Sequence, residues 1–331
     1  MLFKKKPNLY FEFLETRIRY MAMDPQNQTI IAKAEIPFET KIMQDGKISN
    51  PTLIQNRLLA LVAEMKWKNA KVSVLLPDDT VVIREEMIPG QLTESEVKDY
   101  LTLHMGQSIR SPFKETSFHH EIVWQNETEQ KVVLMLYPTA TIREFEAILT
   151  GAALSPQVAD ISSLCLYRMI ENNKAIKQGE ENHMLVFQWS PAQTATMVFN
   201  QNFPTFTRNT RNPGVLNDWE LTAEGKWLWK EDHQMLAGSM KETLDALERF
   251  LEFYRYSVLD GKNGITEIIL TGDFSDLEEL KENMENRFYL PIHLIQPVEG
   301  LESKYFPLYG LSLKKKHVNK RKVVKGELPS V

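Results

Sequence analysis

Three short apolar runs inside residues 184–207, MLVFQWSPAQTATMVFNQNFPTFT, constrain this chain more than any other stretch. Residues 184–189, 195–199 and 203–207 are rich in Val, Phe, Trp and Thr. Ser190-Pro191-Ala192-Gln193-Thr194 and Asn200-Gln201-Asn202 separate them. Such side chains suit a pleated, half-buried surface, and Ser, Pro and Asn clusters turn the chain, so the stretch predicts an antiparallel β-meander. The chain opens the same way: residues 9–14, 17–23 and 29–36 are three runs at similar spacing, with turns at Glu15-Thr16 and 24–28. Two halves that each begin with a three-strand meander and then turn helical point to a duplicated α/β architecture.

The 331 residues suffice for two domains. A single cysteine, Cys165, excludes an internal disulfide framework and fits a reducing compartment. No apolar run approaches the roughly 20 residues of a membrane span. The opening MLFKKKPNLY lacks the apolar core and cleavage site of a secretory signal, so the expected location is cytoplasmic. Net charge is −5. Lys314, Lys315, Lys316, Lys320, Arg321, Lys322 and Lys325 crowd the tail against Glu327 alone, so the body carries roughly −11. The tail reads as basic and disordered, with attraction to anionic phospholipid through Lys314–Lys325 as its sharper role. Nucleic acid is not expected as a partner, because the tail has no interleaved aromatics and the acidic body repels phosphate.

Between the meanders, Asn50 and Pro51 mark a helix start, with Leu53, Ile54, Leu58, Leu61, Val62 and Met65 on one stripe. Residues 72–76 and 81–88 read as strands around an Asp78-Asp79 turn, and Thr93-Glu94-Ser95-Glu96 as a capping box. Strands at 117–124 and 132–137 precede a helix from about Thr141 that stops at Gly151. Residues 72–155 thus form an α/β unit of their own. Asp160 is the expected N-cap of the next helix, and polar residues 172–182 the domain boundary. In the second half, Ser239-Met240-Lys241-Glu242 is expected to open a long helix. Residues 267–270 form a buried strand ending at Thr271-Gly272-Asp273, a short helix and a strand at 290–295 follow, and 305–313 folds back.

Catalytic signatures are absent: the chain has no Walker loop, GxGxxG, GxSxG or HExxH. His119 and His120 are adjacent on a strand and point to opposite faces, so they cannot share an ion. Cys165 lies in an apolar helix with no activating base. Arg208 and Arg211 read as a solvated loop, and Trp219, Trp227 and Trp229 as a small core. One stretch has a chemical address. A strand ending in Thr271-Gly272 before a helix is a common nucleotide cradle, since glycine admits backbone to the ligand and a helix N-terminus favours anions. Asp273 at that mouth would repel a phosphate.

Taken in order, these segments resemble the type IV pilus assembly PilM family, actin-like ATPases related to the cell-division protein FtsA. The resemblance rests on residues 72–77 followed by 81–89, and on the capped helix from Thr93 with Ser111-Pro112-Phe113 and strand 118–124. Residues 132–136, 145–154, 158–164 (VADISSL) and 267–273 complete it. It implies a two-lobed actin-like (ribonuclease H-like) fold. The first lobe would span 1–180, with core 8–71 and 156–180 and an inserted subdomain at 72–155. The second lobe would span 181–313, and the tail 314–331. It also implies a platform at the inner face of the cell membrane, with other pilus platform proteins as neighbours. A first-lobe groove would hold the cytoplasmic N-terminal peptide of a PilN-like single-span inner-membrane protein, and oligomer formation is left open.

The sequence departs from the family where nucleotide would bind. Glu12-Phe13-Leu14-Glu15-Thr16 replaces a first loop of Asp-x-Gly type, and residues 188–194, including Ser190, Gln193 and Thr194, replace the second. Only Thr271, Gly272 and Asp273 remain of the adenosine loop. A charge-assisted hydrogen bond contributes about 1.5–3 kcal/mol, so losing two or three removes roughly 3–9 kcal/mol from a micromolar site near 8 kcal/mol. The expectation is a pseudo-ATPase scaffold with no cofactor and no metal. The alternative is a nucleotide-dependent actin-like ATPase or membrane-associated filament former of FtsA type. Sugar-kinase chemistry needs an aspartate in the interlobe cleft, and none stands out.

Overall fold

The computed structural model describes residues 5–172, 181–190, 193–211, 219–221, 227–229, 233–273, 277–296, 298–314 and 324–325. The first meander forms as expected from β1 (Asn8–Phe13), β2 (Arg17–Met23) and β3 (Ile30–Pro37), all antiparallel. A small hairpin, β4 (Met43–Gln44) and β5 (Lys47–Ile48), leads to α1 (Pro51–Glu64). The Asn50 side chain accepts from the Leu53 amide at 3.1 Å and caps that helix. β6 (Lys71–Leu76) then pairs parallel with β1, and β10 (Ser155–Ile161) parallel with β6. The sheet order is β10-β6-β1-β2-β3.

The second half repeats this plan. β11 (His183–Ser190), β12 (Gln193–Asn200) and β13 (Phe203–Arg211) form the meander. β16 (Glu267–Gly272) pairs parallel with β11, and β17 (Ile292–Leu294) parallel with β16. The order β17-β16-β11-β12-β13 matches the first sheet strand for strand. Duplication of the meander therefore extends to the whole sheet.

Between β6 and β10 the chain forms a separate layer. β7 (Val82–Pro89), β8 (Thr116–Gln125) and β9 (Glu129–Pro138) make an antiparallel sheet under α2 (Glu94–His104), with its own core around Val97, Leu101, Val132 and Leu134. The Glu96 carboxylate accepts from the Thr93 amide at 2.8 Å and the Thr93 hydroxyl at 2.7 Å, which secures the start of α2. β18 (Val324–Lys325) lies parallel on the outer edge of β8. The strand at 71–76 belongs to the first sheet, and α3 (Thr139–Gly151) contacts α1 and β10. The self-contained unit accordingly runs from β7 to β9, narrower than 72–155.

Two helices join the lobes. α4 (Ser162–Asn172) contacts β10 of the first sheet and β11 and β12 of the second. β14 (Trp219–Leu221) pairs with β15 (Trp227–Trp229), Trp219 opposite Trp229, and α5 (His233–Phe253) and α6 (Leu277–Phe288) cover the second sheet's outer core. α7 (Phe306–Ser312) returns to pack on α4, β1 and β6, so residues 305–312 contribute Tyr305, Phe306, Leu308 and Leu311 to the first-lobe core. Gly310 permits this approach, since a Cβ there would lie 2.0 Å from the Cys165 carbonyl oxygen.

Three helix starts differ from expectation. α5 begins at His233, so Ser239-Met240-Lys241-Glu242 lies inside it. The preceding Leu236 and Ala237 are good helix formers and carry the helix through. α3 begins at Thr139, directly off β9, and not at Thr141. Asp160 is the penultimate residue of β10; α4 starts at Ser162 and takes its cap from elsewhere. Residues 173–180, most of the expected boundary, lie outside the described residues, as do 315–323 and 326–331 of the tail. No helix among the described residues is long and apolar enough to cross a membrane.

Candidate functional site

The matching hairpins bring the β1–β2 turn and the facing ends of β11 and β12 to one cleft between the lobes, beside the carboxyl ends of β6 and β16. Glu12, Arg17, Arg19, Asp78, Gln188, Ser190, Gln193 and Asp273 are among the residues lining it. It encloses about 110 Å³, against roughly 300–1,000 Å³ for a typical cofactor pocket.

Arg19, on β2, is the centre of the cleft. All seven residues of β2 are buried, and Arg19 is 1% exposed. Its Nη1 donates to Glu12 Oε2 at 3.0 Å and to the Lys304 carbonyl at 2.6 Å, and its Nη2 to Asp273 Oδ2 at 2.8 Å. Nε and Nη2 both lie 2.9 Å from Glu35 Oε1. The Tyr305 ring sits 5.7 Å from this guanidinium and 5.4 Å from Lys304 Nζ, within cation–π range. Burial works against charge on Arg19, but Asp273, Glu12 and Glu35 outweigh it and push its pKa up. Burial raises Glu12 to about 7 against the pull of Arg19. For Glu35 burial is overcome by Arg19, Arg17 and Lys304, and its carboxyl falls below the usual range.

Asp78, expected to be a simple turn residue, is buried at the end of β6. Its Oδ2 accepts from the Ser162 amide at 3.1 Å and hydroxyl at 2.7 Å, and its Oδ1 from the Ser163 amide at 3.0 Å and hydroxyl at 2.7 Å. An acid 84 residues away thus caps α4, where the positive end of the helix dipole also favours it. Burial raises the Asp78 pKa against those four bonds. The Ser162 hydroxyl also lies 2.7 Å from Gln188 Oε1 and so connects β6 and α4 to the second lobe. Asp160 instead pairs with Arg168 at 2.9 Å and Lys314 at 2.8 Å. Interlobe acids therefore exist where none stood out in the sequence, and Glu12, Asp78 and Asp273 are each engaged by protein groups.

Of the expected nucleotide positions, Ser190, Gln193 and Asp273 line the cleft. Thr194 does not: it is buried and lines a second cavity beside Glu242, Thr243 and Arg249 of α5. Thr271 is buried beside Gln188 on the neighbouring strand. Gly272 has φ +141, and a Cβ on it would lie 1.7 Å from the Trp189 carbonyl oxygen. The glycine serves strand-to-strand contact there, and its neighbour Asp273 donates its amide to that same carbonyl at 3.0 Å. At the other turn the Leu14 amide donates to the Arg17 carbonyl at 2.9 Å.

Elsewhere the chemistry is spare. Among the described residues no group of three or more His, Cys, Asp or Glu is arranged around a metal position. His119 is exposed beside Glu121 at 3.6 Å. Cys165 is fully buried, and burial pushes its thiol up, which leaves it inert. Arg211, Trp219, Trp227 and Trp229 have side chains outside the described set. The sequence did hold a signal for Arg19: two arginines two residues apart in RIRYMAM share one face of an apolar strand. For Asp78, Ser162 and Gln188 no local signal exists.

A family model described as type IV pilus assembly protein PilM matches residues 18–306. No curated protein matches the chain in sequence. Among solved structures, one titled PilM-PilN type IV pilus biogenesis complex superposes with TM-score 0.72 at 16% identity, covering 92% of this chain and 97% of that one. The ethanolamine utilization protein EutJ of Carboxydothermus hydrogenoformans gives TM-score 0.50 at 11% identity, with coverages of 93% and 90%. MreB5 of Spiroplasma citri bound to ADP gives 0.49 at 10% identity, with 94% and 96%. The fold is actin-like.

Proposed function

The chain belongs to the PilM family of type IV pilus assembly proteins, and from that premise we propose that it is a non-catalytic member whose actin-like fold serves as a docking scaffold. One observation carries the reading. Two backbone amides at the cleft are already engaged, Leu14 by the Arg17 carbonyl and Asp273 by the Trp189 carbonyl. A phosphate would have to displace these bonds and also come within reach of the Glu12 and Asp273 carboxylates. Titration calorimetry with magnesium-ATP is expected to show no saturable heat. A low-micromolar dissociation constant would overturn the reading.

The family and the complex named above support a partner for this scaffold. The chain would sit at the cytoplasmic face of the inner membrane and take the N-terminal cytoplasmic peptide of a PilN-like single-span protein, by strand addition and side-chain pockets. A synthetic peptide of that kind from a neighbouring gene is expected to bind saturably. No binding at high micromolar peptide would count against it.

A further inference from the structure

The acids around Arg19 come from different lobes. Glu12 and Glu35 stand on β1 and β3 of the first sheet, Asp273 follows β16 in the second lobe, and Lys304 lies on the segment returning to α7. One guanidinium meets all four at 2.6–3.0 Å. Three carboxyl groups held so close and so dry repel one another when charged, and a cation between them offsets that repulsion. A planar guanidinium directs five N–H donors along fixed lines and can serve acceptors on both lobes at once. An ammonium is a point charge without that fork.

Other links between the lobes run through α4 and through β13, which packs on β7 and β9. Ser162 reaches Gln188, and Tyr167 stacks on Phe199 at 3.9 Å and donates its hydroxyl to Asn202 Oδ1 at 2.7 Å. Arg19 spans the cleft independently of that helix. We propose that Arg19 is a resident internal cation that latches the lobes across the cleft and holds one closed arrangement with no ligand bound. The proposal rests on the reading that the cleft takes no nucleotide, and adds that the chain's own side chain does the bridging which a ligand would otherwise do.

The test is a distance distribution between spin labels on the full chain, one at Glu39→Cys in the first lobe and one at Glu282→Cys in the second. Both positions are exposed, and the buried Cys165 takes no label. The latched chain is expected to give one narrow distribution, unchanged by magnesium-ATP. Asp273→Ala cuts the cross-cleft carboxylate bond yet leaves Arg19 compensated by Glu12 and Glu35. It is expected to give a broader distribution shifted to longer distance, and Arg19→Met a larger shift in the same direction. Should Arg19→Met not fold, Asp273→Ala decides alone. If the Asp273→Ala distribution superposes on the parent, the latch is wrong while the nucleotide-free reading stands. A parent distribution that moves with magnesium-ATP, with Asp273→Ala still broadened, supports the latch and sinks the nucleotide-free reading.

Discussion

Glu12 shows how one buried side chain sets a pH dependence. Its ordinary carboxyl pKa is 4.5, and burial raises it to about 7 in the fold. The folded state then binds a proton that the unfolded chain releases between those values. Its contribution is fully present below about pH 4.5 and is lost as pH rises through about 7. Glu12→Gln removes this titration. Urea midpoints measured from pH 5 to pH 8 are expected to shift in favour of the variant, by up to a few kcal/mol. A difference that stays constant with pH would contradict the assignment. The neighbouring Glu35 titrates in both proteins and cancels.

Helices show where local preference is decisive and where contact overrides it. α4 depends on a cap donated from another element, so Asp78→Ala leaves two amides and the Ser163 hydroxyl without their acceptor, while the Ser162 hydroxyl keeps Gln188. We expect a loss of about 2–4 kcal/mol and faster backbone exchange confined at first to residues 162–165. Unchanged exchange there would show that α4 starts without Asp78. Gly310 lies inside α7, and propensity alone would credit Gly310→Ala with about 1 kcal/mol. Its Cβ would instead meet the Cys165 carbonyl oxygen at 2.0 Å. Backbone cannot yield as a side chain tip can, and overpacking of this kind costs roughly 1–3 kcal/mol. The clash should win, and denaturant unfolding should show Gly310→Ala less stable. Capping residues near their own helices, Asn50 and Thr93, were legible in the sequence. Ser239 was misleading because a capping pattern also occurs by chance within a continuous helix, and Asp78 was invisible because its helix is 84 residues away.

For the molecule as a whole, the tail carries the remaining question of membrane contact. Lys314 is drawn into the fold by Asp160 at 2.8 Å, and Lys315, Lys316, Lys320, Arg321 and Lys322 lie in sequence between it and β18, which holds Lys325. At most about 1 kcal/mol per basic residue near an anionic surface follows from charge attraction. The full chain is expected to sediment with vesicles rich in anionic lipid at low salt, and to release as salt rises. A chain with Lys315, Lys316, Lys320, Arg321 and Lys322 changed to Gln, which keeps β18, should stay in the supernatant with its thermal unfolding unchanged. Equal sedimentation of both would rule the tail out.

The residues alone determined the two meanders, the main strand positions and the resemblance that proved to be the family, because short strand-favouring apolar runs and turn chemistry act over a few neighbours. They also exposed the loss of glycine from both turns at the cleft. Only the tertiary structure decided which side chains meet in that cleft. The bonds that join Arg19 to Asp273 and to the Lys304 carbonyl span 254 and 285 residues. No local pattern encodes a buried ion cluster, since its stability depends on which charges the folded lobes bring within 3 Å and on the exclusion of water around them.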